Sequence, residues 1–378
     1  MQSPMKEIVA AGPTPVGPFS PAVKAGGFVY VSGTLAQDAS GAIVGKGDIA
    51  AQTKQILDRM REVLTAAGSS LDQVVATMVY LKTAGAFPAM NDVYRTYWKK
   101  DLPTRTTVVA GLVLPDALVE MSMIAVPNGA ERVVVQPKNW VASPNPYSYA
   151  IRTGDTLFLS GLVARNGADN AFVAGDVASQ TATVLDNAGA LLGAAGMTHA
   201  NVVSARVYLP DIGPFQQMNE VYRKYFPTAP PARATVKAAL AGSQPLVEIT
   251  LVASSAAKEV INDGRPVNPN LSAAIRVGSR IYVSGMLGNM PETNGDVAAQ
   301  TRETLARIKK ALEVAGATPA DVVDGLVYLT DLANYRAMND VYRGFFEKSF
   351  PARATVQSGL VAGDGLVEIM VTAERARP

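Results

Sequence analysis

The chain contains no cysteine and a single histidine, His199, in 378 residues. Without cysteine there are no disulfides, thiolate nucleophiles or cysteine-bound metals. One histidine cannot supply a repeated base or a repeated metal site. No apolar run approaches the roughly 20 residues that a helix needs to cross a bilayer. The opening Met1-Gln2-Ser3-Pro4-Met5-Lys6 lacks a signal-peptide pattern. A cytoplasmic location is therefore expected, with an exported one the alternative had a leader been removed. Charge of one sign is also lacking: 34 basic against 32 acidic residues leave a net +2, with no basic run or arginine-rich arm. That excludes an electrostatic footprint for nucleic acid, and no membrane partner is expected. Apolar residues, by contrast, make up 48% of the chain against 17% charged, the balance of a chain that folds around a core.

The length suggests two or three domains, and internal repetition decides for three. Tyr30-Val31-Ser32-Gly33 recurs as Phe158-Leu159-Ser160-Gly161 and Tyr282-Val283-Ser284-Gly285. The segment Gly47 to Thr53 recurs at Gly175 to Thr181 and Gly295 to Thr301, and Ala89 to Arg95 recurs at Gln217 to Arg223 and Ala337 to Arg343. Most telling is Pro103-Thr104-Arg105-Thr106-Thr107-Val108 followed by Leu118-Val119-Glu120-Met121. It returns around Arg233 and Glu248, then around Arg353 and Glu368, always with 15 positions from arginine to glutamate. Three domains follow, at 1–126, 127–254 and 255–378. Their connectors, near Val126–Gln136 and Ser254–Asn268, are short enough to keep neighbours adjacent.

Within a copy, Ala22 to Gly33 reads as a strand pair turning at Gly26-Gly27. Asp48 is placed to cap a helix that ends at Gly68. Ile49, Thr53, Ile56, Leu57, Met60, Val63, Leu64 and Ala67 give that helix one apolar stripe. Val74 to Leu81 reads as a strand and Phe87 to Trp98 as a second helix. The arginine and glutamate segments read as two strands of a hairpin, which sets Arg105 almost opposite Glu120 on one sheet face. The fold class is α+β, a mixed β-sheet with two helices on one face. Three such sheets packed together bury their bare faces within one chain.

The strings "GPFS", "YVSG", "GDIAAQT", "AMNDVYRTYW", "PTRTTV" and "LVEM", in that order and with counterparts in the other two copies, resemble the Rid superfamily, the YjgF-type reactive intermediate (enamine/imine) deaminases. The resemblance implies a chorismate-mutase-like fold, here as a single-chain pseudo-trimer with up to three clefts between neighbouring domains. It places the carboxylate-binding arginine on Arg105, Arg233 and Arg353. The water-positioning glutamate falls on Glu120, Glu248 and Glu368, and the asparagine on Asn91, Asn219 and Asn339. The serine–glycine pair falls on Ser32-Gly33, Ser160-Gly161 and Ser284-Gly285. The aromatic of the family's "GPYS" string falls on Phe19, Tyr147 and Leu271. Thr107, Thr235 and Thr355 stand where a cysteine is common, and Thr34, Leu162 and Met286 replace a polar residue. The second copy's motifs are thus nearest to an active site, and the third copy's furthest from one.

Hydrolysis of a 2-imino acid needs its carboxylate anchored, a water aimed at the imine carbon and protons moved as ammonia leaves. Arginine supplies a permanently charged two-pronged grip. A glutamate orients water and shuttles protons, and is expected to start ionised beside its positive neighbour. This chemistry requires neither metal nor organic cofactor, so none is expected. The partner expected is a small carboxylate-bearing metabolite, a 2-imino or 2-oxo acid.

Other readings weigh against these. Each arginine–glutamate pair also fits a cross-strand ion pair holding a hairpin. Asn91 and its counterparts fit helix starts, and the serines fit strand-end hydroxyls bonded to backbone. Tyr94, Tyr222 and Tyr342 fit the core, and His199 an exposed loop. At the level of function, the alternatives are a non-catalytic module binding small carboxylates as sensor or scaffold, and an endoribonuclease. One histidine and near-neutral charge argue against the last.

Overall fold

The computed structural model describes residues 6–12, 15 and 17–375; Met1 to Met5 lie outside them. The first repeat runs β1 (Glu7–Val9), β2 (Ala22–Ala25), β3 (Phe28–Thr34), α1 (Ile49–Ala66), β4 (Val74–Leu81), α2 (Phe87–Tyr94), β5 (Thr104–Val109), β6 (Gly111–Leu112) and β7 (Val119–Ala125). Asp48 caps α1 by accepting from the Ala51 amide, and Gly68 follows its last turn at φ +76°. Both are as the sequence predicts. The second helix is shorter than expected: α2 stops at Tyr94, and a 3-10 turn covers Arg95–Tyr97.

The sheet departs from the predicted hairpin. Its order is β1-β2-β3-β7-β4-β5, closed by Ala239–Leu240 from the second repeat. β4 lies between the arginine and glutamate strands, parallel to β5 and antiparallel to β7. Arg105 therefore faces Thr77, and Glu120 faces Tyr80, on opposite edges of one strand. The cause is twofold. β4 is apolar along nearly its whole length, with seven of its eight residues buried, so it takes a central place with a partner on each side. The link between β5 and β7 does not turn back on itself: its β6 joins the third repeat's Ala352–Gln357.

The second and third repeats repeat this plan, and the exchange runs in a circle. The second lends Ala239–Leu240 to the first, the third lends Gly359–Leu360 to the second, and the first lends β6 to the third. A cation closes each joint in the same direction. Arg132 Nε donates to Val74 O (2.8 Å), Lys258 Nζ to Val202 O (2.9 Å) and Lys6 Nζ to Val322 O (2.6 Å). What read as connectors thus contain edge strands, Val133–Val135 and Lys258–Ile261.

Each repeat has its own core between helices and sheet. A fourth core draws on all three, around Tyr80, Tyr208 and Tyr328, where the bare sheet faces meet. The hydroxyls of Tyr208 and Tyr328 lie 3.2 Å apart. Opening one such ring to alanine would cost about 3–5 kcal/mol. The result is the α+β pseudo-trimer expected, with domain junctions sealed by backbone pairing.

Candidate active site

Because the repeats interlock, each arginine comes within electrostatic reach of the glutamate of the next repeat, without a direct ion pair. Arg105 acts electrostatically on Glu248, Arg233 on Glu368 and Arg353 on Glu120. The predicted pairing within one repeat, Arg105 with Glu120, is replaced by a pairing across repeats, since β4 holds the two strands apart. The serines make the joint. Ser160 Oγ accepts from the Arg105 amide (2.9 Å), Ser284 Oγ from that of Arg233 (2.8 Å) and Ser32 Oγ from that of Arg353 (2.8 Å). The same hydroxyls donate to the carbonyls of Ser148 (2.7 Å), Ser272 (2.5 Å) and Ser20 (2.5 Å). Both sides of each hydroxyl are thus committed to backbone.

Every arginine lies over a tyrosine from its own repeat: Tyr94 at 4.8 Å, Tyr222 at 4.6 Å and Tyr342 at 4.7 Å from the guanidinium carbon to the ring centre. These tyrosines are buried, as expected, but they also form platforms that fix the guanidinium. The sequence signal was a constant spacing of 11 residues from tyrosine to arginine. Among the described residues, buried N–H groups remain without a partner at Arg105 Nη1, at Arg233 Nε and Nη1, and at Arg353 Nη1. The hydroxyls of Thr107, Thr235 and Thr355, two residues along the same strands, also lack a partner among the described residues, as do the side-chain oxygens of Asn91 and Asn339. A buried donor left unpaired is costly, so the guanidinium N–H groups call for an acceptor, while the asparagine oxygens call for a donor.

The glutamates are held differently from the expectation. Glu120, Glu248 and Glu368 are pushed up to about 8. Burial is the main cause, and the facing arginine, with the Thr107 amide at Glu248, offsets only part of it. Burial therefore favours the protonated carboxyl, where the sequence suggested an ionised one. Gly33, Gly161 and Gly285 make the space: a Cβ there would lie 2.0, 1.9 and 1.8 Å from the glutamate Oε1. The glutamine of the "AAQT" string sets the backbone just ahead. Gln52 Oε1 accepts from Leu118 N (2.8 Å), Gln180 from Leu246 N (2.8 Å) and Gln300 from Leu366 N (2.7 Å). Each of those amides is two residues before the glutamate.

The asparagines do not start their helices; each is the fifth residue. Asn219 Oδ1 accepts from Arg233 Nη2 (2.8 Å), while Asn91 Nδ2 reaches Asn145 Oδ1 of the second repeat (3.4 Å). The third aromatic varies. Tyr147 lies 5.8 Å from Arg105 and Phe19 5.5 Å from Arg353. Phe87 and Tyr335, not singled out in the sequence, add rings at 5.5 and 5.9 Å. Among the described residues, Arg233 has Tyr222 alone within such reach. His199 proves half-buried, its Nε2 on Leu185 O at 2.9 Å.

Three junctions, each bringing a buried arginine of one repeat toward a buried glutamate of the next, define the class: a tandem α+β protein with its candidate sites between repeats. The family model described as Endoribonuclease L-PSP matches residues 9–127, 138–255 and 265–375. The chain belongs to this family, and with it to the Rid superfamily. A 3-aminoacrylate deaminase RutC from Acinetobacter baylyi is 41% identical over 122 residues, 32% of this chain and 97% of that protein. A RutC family protein from Pyrococcus horikoshii is 39% identical over 123 residues, 32% of this chain and 98% of that one. Among solved structures, a chorismatase covers 80% of this chain and 93% of its own at 14% identity, with a TM-score of 0.55; that likeness concerns the fold. No helix among the described residues is long and apolar enough to cross a membrane.

Proposed function

We propose that the protein is an imine/enamine deaminase that hydrolyses small 2-imino acids to 2-oxo acids and ammonia. The observation that carries this reading is that, at each junction, a buried guanidinium with N–H groups that find no partner among the described residues stands near a buried carboxyl of the next repeat, which burial shifts toward its protonated form. The substrate carboxylate takes the guanidinium of Arg105, Arg233 or Arg353, over its tyrosine platform. That anion beside the arginine removes the one charge favouring ionised glutamate, so the acid stays protonated on binding.

The steps then balance. Glu248, in the first cleft, gives its proton to the imine nitrogen and leaves an iminium carbon facing a carboxylate. Water adds to that carbon as the carboxylate takes one of its protons. The regenerated acid protonates the amino group of the carbinolamine, the C–N bond breaks, and the hydroxyl proton returns to the glutamate as the C=O forms. Ammonia and the 2-oxo acid leave, and the glutamate ends as it began. Positioning contributes most, because the free imine already hydrolyses in water.

The test is to generate 2-iminopropionate or 2-aminoacrylate in situ and follow its decay. Decay faster with protein than without, and lost in an Arg105→Ala/Arg233→Ala/Arg353→Ala chain, is the expected result; equal decay with both proteins overturns catalysis. Two observations favour a second reading, binding of small carboxylates without turnover. In the Arg233 cleft one guanidinium nitrogen is already taken by Asn219, and Leu271 stands where the other copies have an aromatic. Thermal stabilisation by 2-oxo acids with no turnover selects it. All three arginine–glutamate pairs come from one chain, so we read the protein as a monomer, which sedimentation at the mass of one chain tests. The domain limits 1–126, 127–254 and 255–378 remain our division of the chain.

A further inference from the structure

The loop ahead of Tyr147 differs from its two counterparts. From the last residue of the edge strand to the first of the next strand it advances 15 positions (Val135 to Ala150), against 13 for Val9 to Ala22 and 13 for Ile261 to Ala274. The longer loop carries Trp140, one of two tryptophans in the chain. Its indole stands edge-on to Tyr149 (ring centres 5.1 Å apart, planes at 84°), and Tyr149 stands edge-on to Tyr147 (5.8 Å, 86°). Tyr147 in turn lies over Arg105. A continuous aromatic stack thus leads from the surface loop to the guanidinium of one cleft.

The stack is built in from the other side as well. Val141 N donates to Gly167 O (2.9 Å). At Gly167 a Cβ would lie 2.2 Å from the indole Cε2 and Nε1, so the glycine is the space that Trp140 fills. Its counterpart in the first repeat is Ala39, at the same 128-residue offset. Tyr149 itself is matched by Pro21 and Ala273, so neither other repeat has a ring with which to continue such a stack. Asn145, on the same loop, receives Asn91 of the first repeat (3.4 Å) and ties the loop across the cleft.

We infer that Trp140 is a positioning residue that, through Tyr149, holds Tyr147 over the Arg105–Glu248 cleft, and that this cleft is the one specialised for tight binding of a 2-oxo or 2-imino acid. The inference rests on the deaminase reading for its ligand class, but binding tests it apart from turnover. Edge-on aromatic pairs prefer one geometry and resist rotation, so Tyr147 is held in place before the ligand arrives.

The experiment uses the full chain with Arg233→Ala and Arg353→Ala, which leaves the first cleft as the intact one. Calorimetry with pyruvate reads affinity, and decay of 2-iminopropionate reads kcat and KM. Trp140→Ala is expected to weaken pyruvate and raise KM together, by about three- to tenfold, with the melting temperature nearly unchanged. Trp140→Phe should recover most of the loss. Gly167→Ala, which displaces the indole and leaves it intact, should reproduce the loss and serves if Trp140→Ala folds poorly. Unchanged pyruvate affinity in both Trp140→Ala and Gly167→Ala overturns the inference. An equal loss in a chain retaining only the Arg233–Glu368 cleft does so too, since it means a general structural effect. Pyruvate binding that depends on Trp140 in a chain with no imine turnover would uphold the positioning role and sink the deaminase reading alone.

Discussion

The Arg105 and Arg233 clefts share their backbone and differ in their walls. Both have the tyrosine platform, the serine pinned to the arginine amide and the glutamate under a glycine. The first adds Phe87 and Tyr147, a loop tied across by Asn91, and the Trp140 stack. The second has Leu271 at the aromatic position and an arginine whose Nη2 is already bound by Asn219. The groups the proposed chemistry needs are thus common to both, and those that shape the guest are not. A homotrimer writes every change three times; a tandem chain writes it once. The interior shows the same freedom: Arg206 stands where the other repeats carry Met78 and Leu326.

The largest effect that would sharpen this comparison is in the shared groups. In chains retaining one cleft each, Glu248→Gln and Glu368→Gln should both lower kcat by about 100-fold or more, the range for lost acid–base catalysis. A large loss in the first and none in the second would mean that the second cleft only binds. Next come the arginines. Arg105→Ala should cost the first cleft about tenfold or more in pyruvate affinity with folding kept, whereas a purely structural ion pair would instead lose about 3–5 kcal/mol of stability. Gly161→Ala drives a methyl into Glu248 and should cost about 1–3 kcal/mol, read as a lower melting temperature and lost turnover in the first cleft alone.

The pH dependence is smaller and common to all three clefts. Each glutamate is raised from 4.5 when free to about 8 when folded. A raised value means that the folded form holds its proton more tightly. Stability from this source is therefore complete below about pH 4.5 and is withdrawn as pH climbs toward 8. Turnover should fall above about pH 8 as the acid form is lost. Melting temperatures across pH 5 to 9 check the first, with the three-fold glutamine variant expected to be flatter, and initial rates check the second. The smallest expected effect is a gain: Leu271→Tyr should tighten pyruvate in the second cleft by about twofold to fivefold, the worth of one ring near a guanidinium.

Much of this was legible in the residues. The three-fold repetition, the Asp48 cap, the Gly68 stop and the α+β order follow from local pattern, and local pattern is what sequence reports. The arginine–glutamate motif was legible as chemistry and misread as geometry. Equal spacing within a copy suggested a hairpin, and nothing local says that Val74–Leu81 inserts between its strands or that Gly111–Leu112 leaves for another sheet. Those are long-range pairings, fixed by which strand most needs burial. The upward pull of burial on the glutamate was missed for a related reason: a charged neighbour can be guessed from a motif, whereas the depth of burial depends on three domains closing together. Tyr94 looked like core and is core, but its second role shows only when Arg105 is seen lying on it.

The central claim is that each site is shared between consecutive repeats, and one measurement tests it most directly. Take the chain carrying Arg233→Ala and Arg353→Ala, so that turnover of 2-iminopropionate reports on Arg105 alone, and add either Glu248→Gln or Glu120→Gln. The cross-repeat arrangement predicts that the first abolishes turnover and the second spares it. Loss with Glu120→Gln and retention with Glu248→Gln would contradict the account and return the pair to a single repeat.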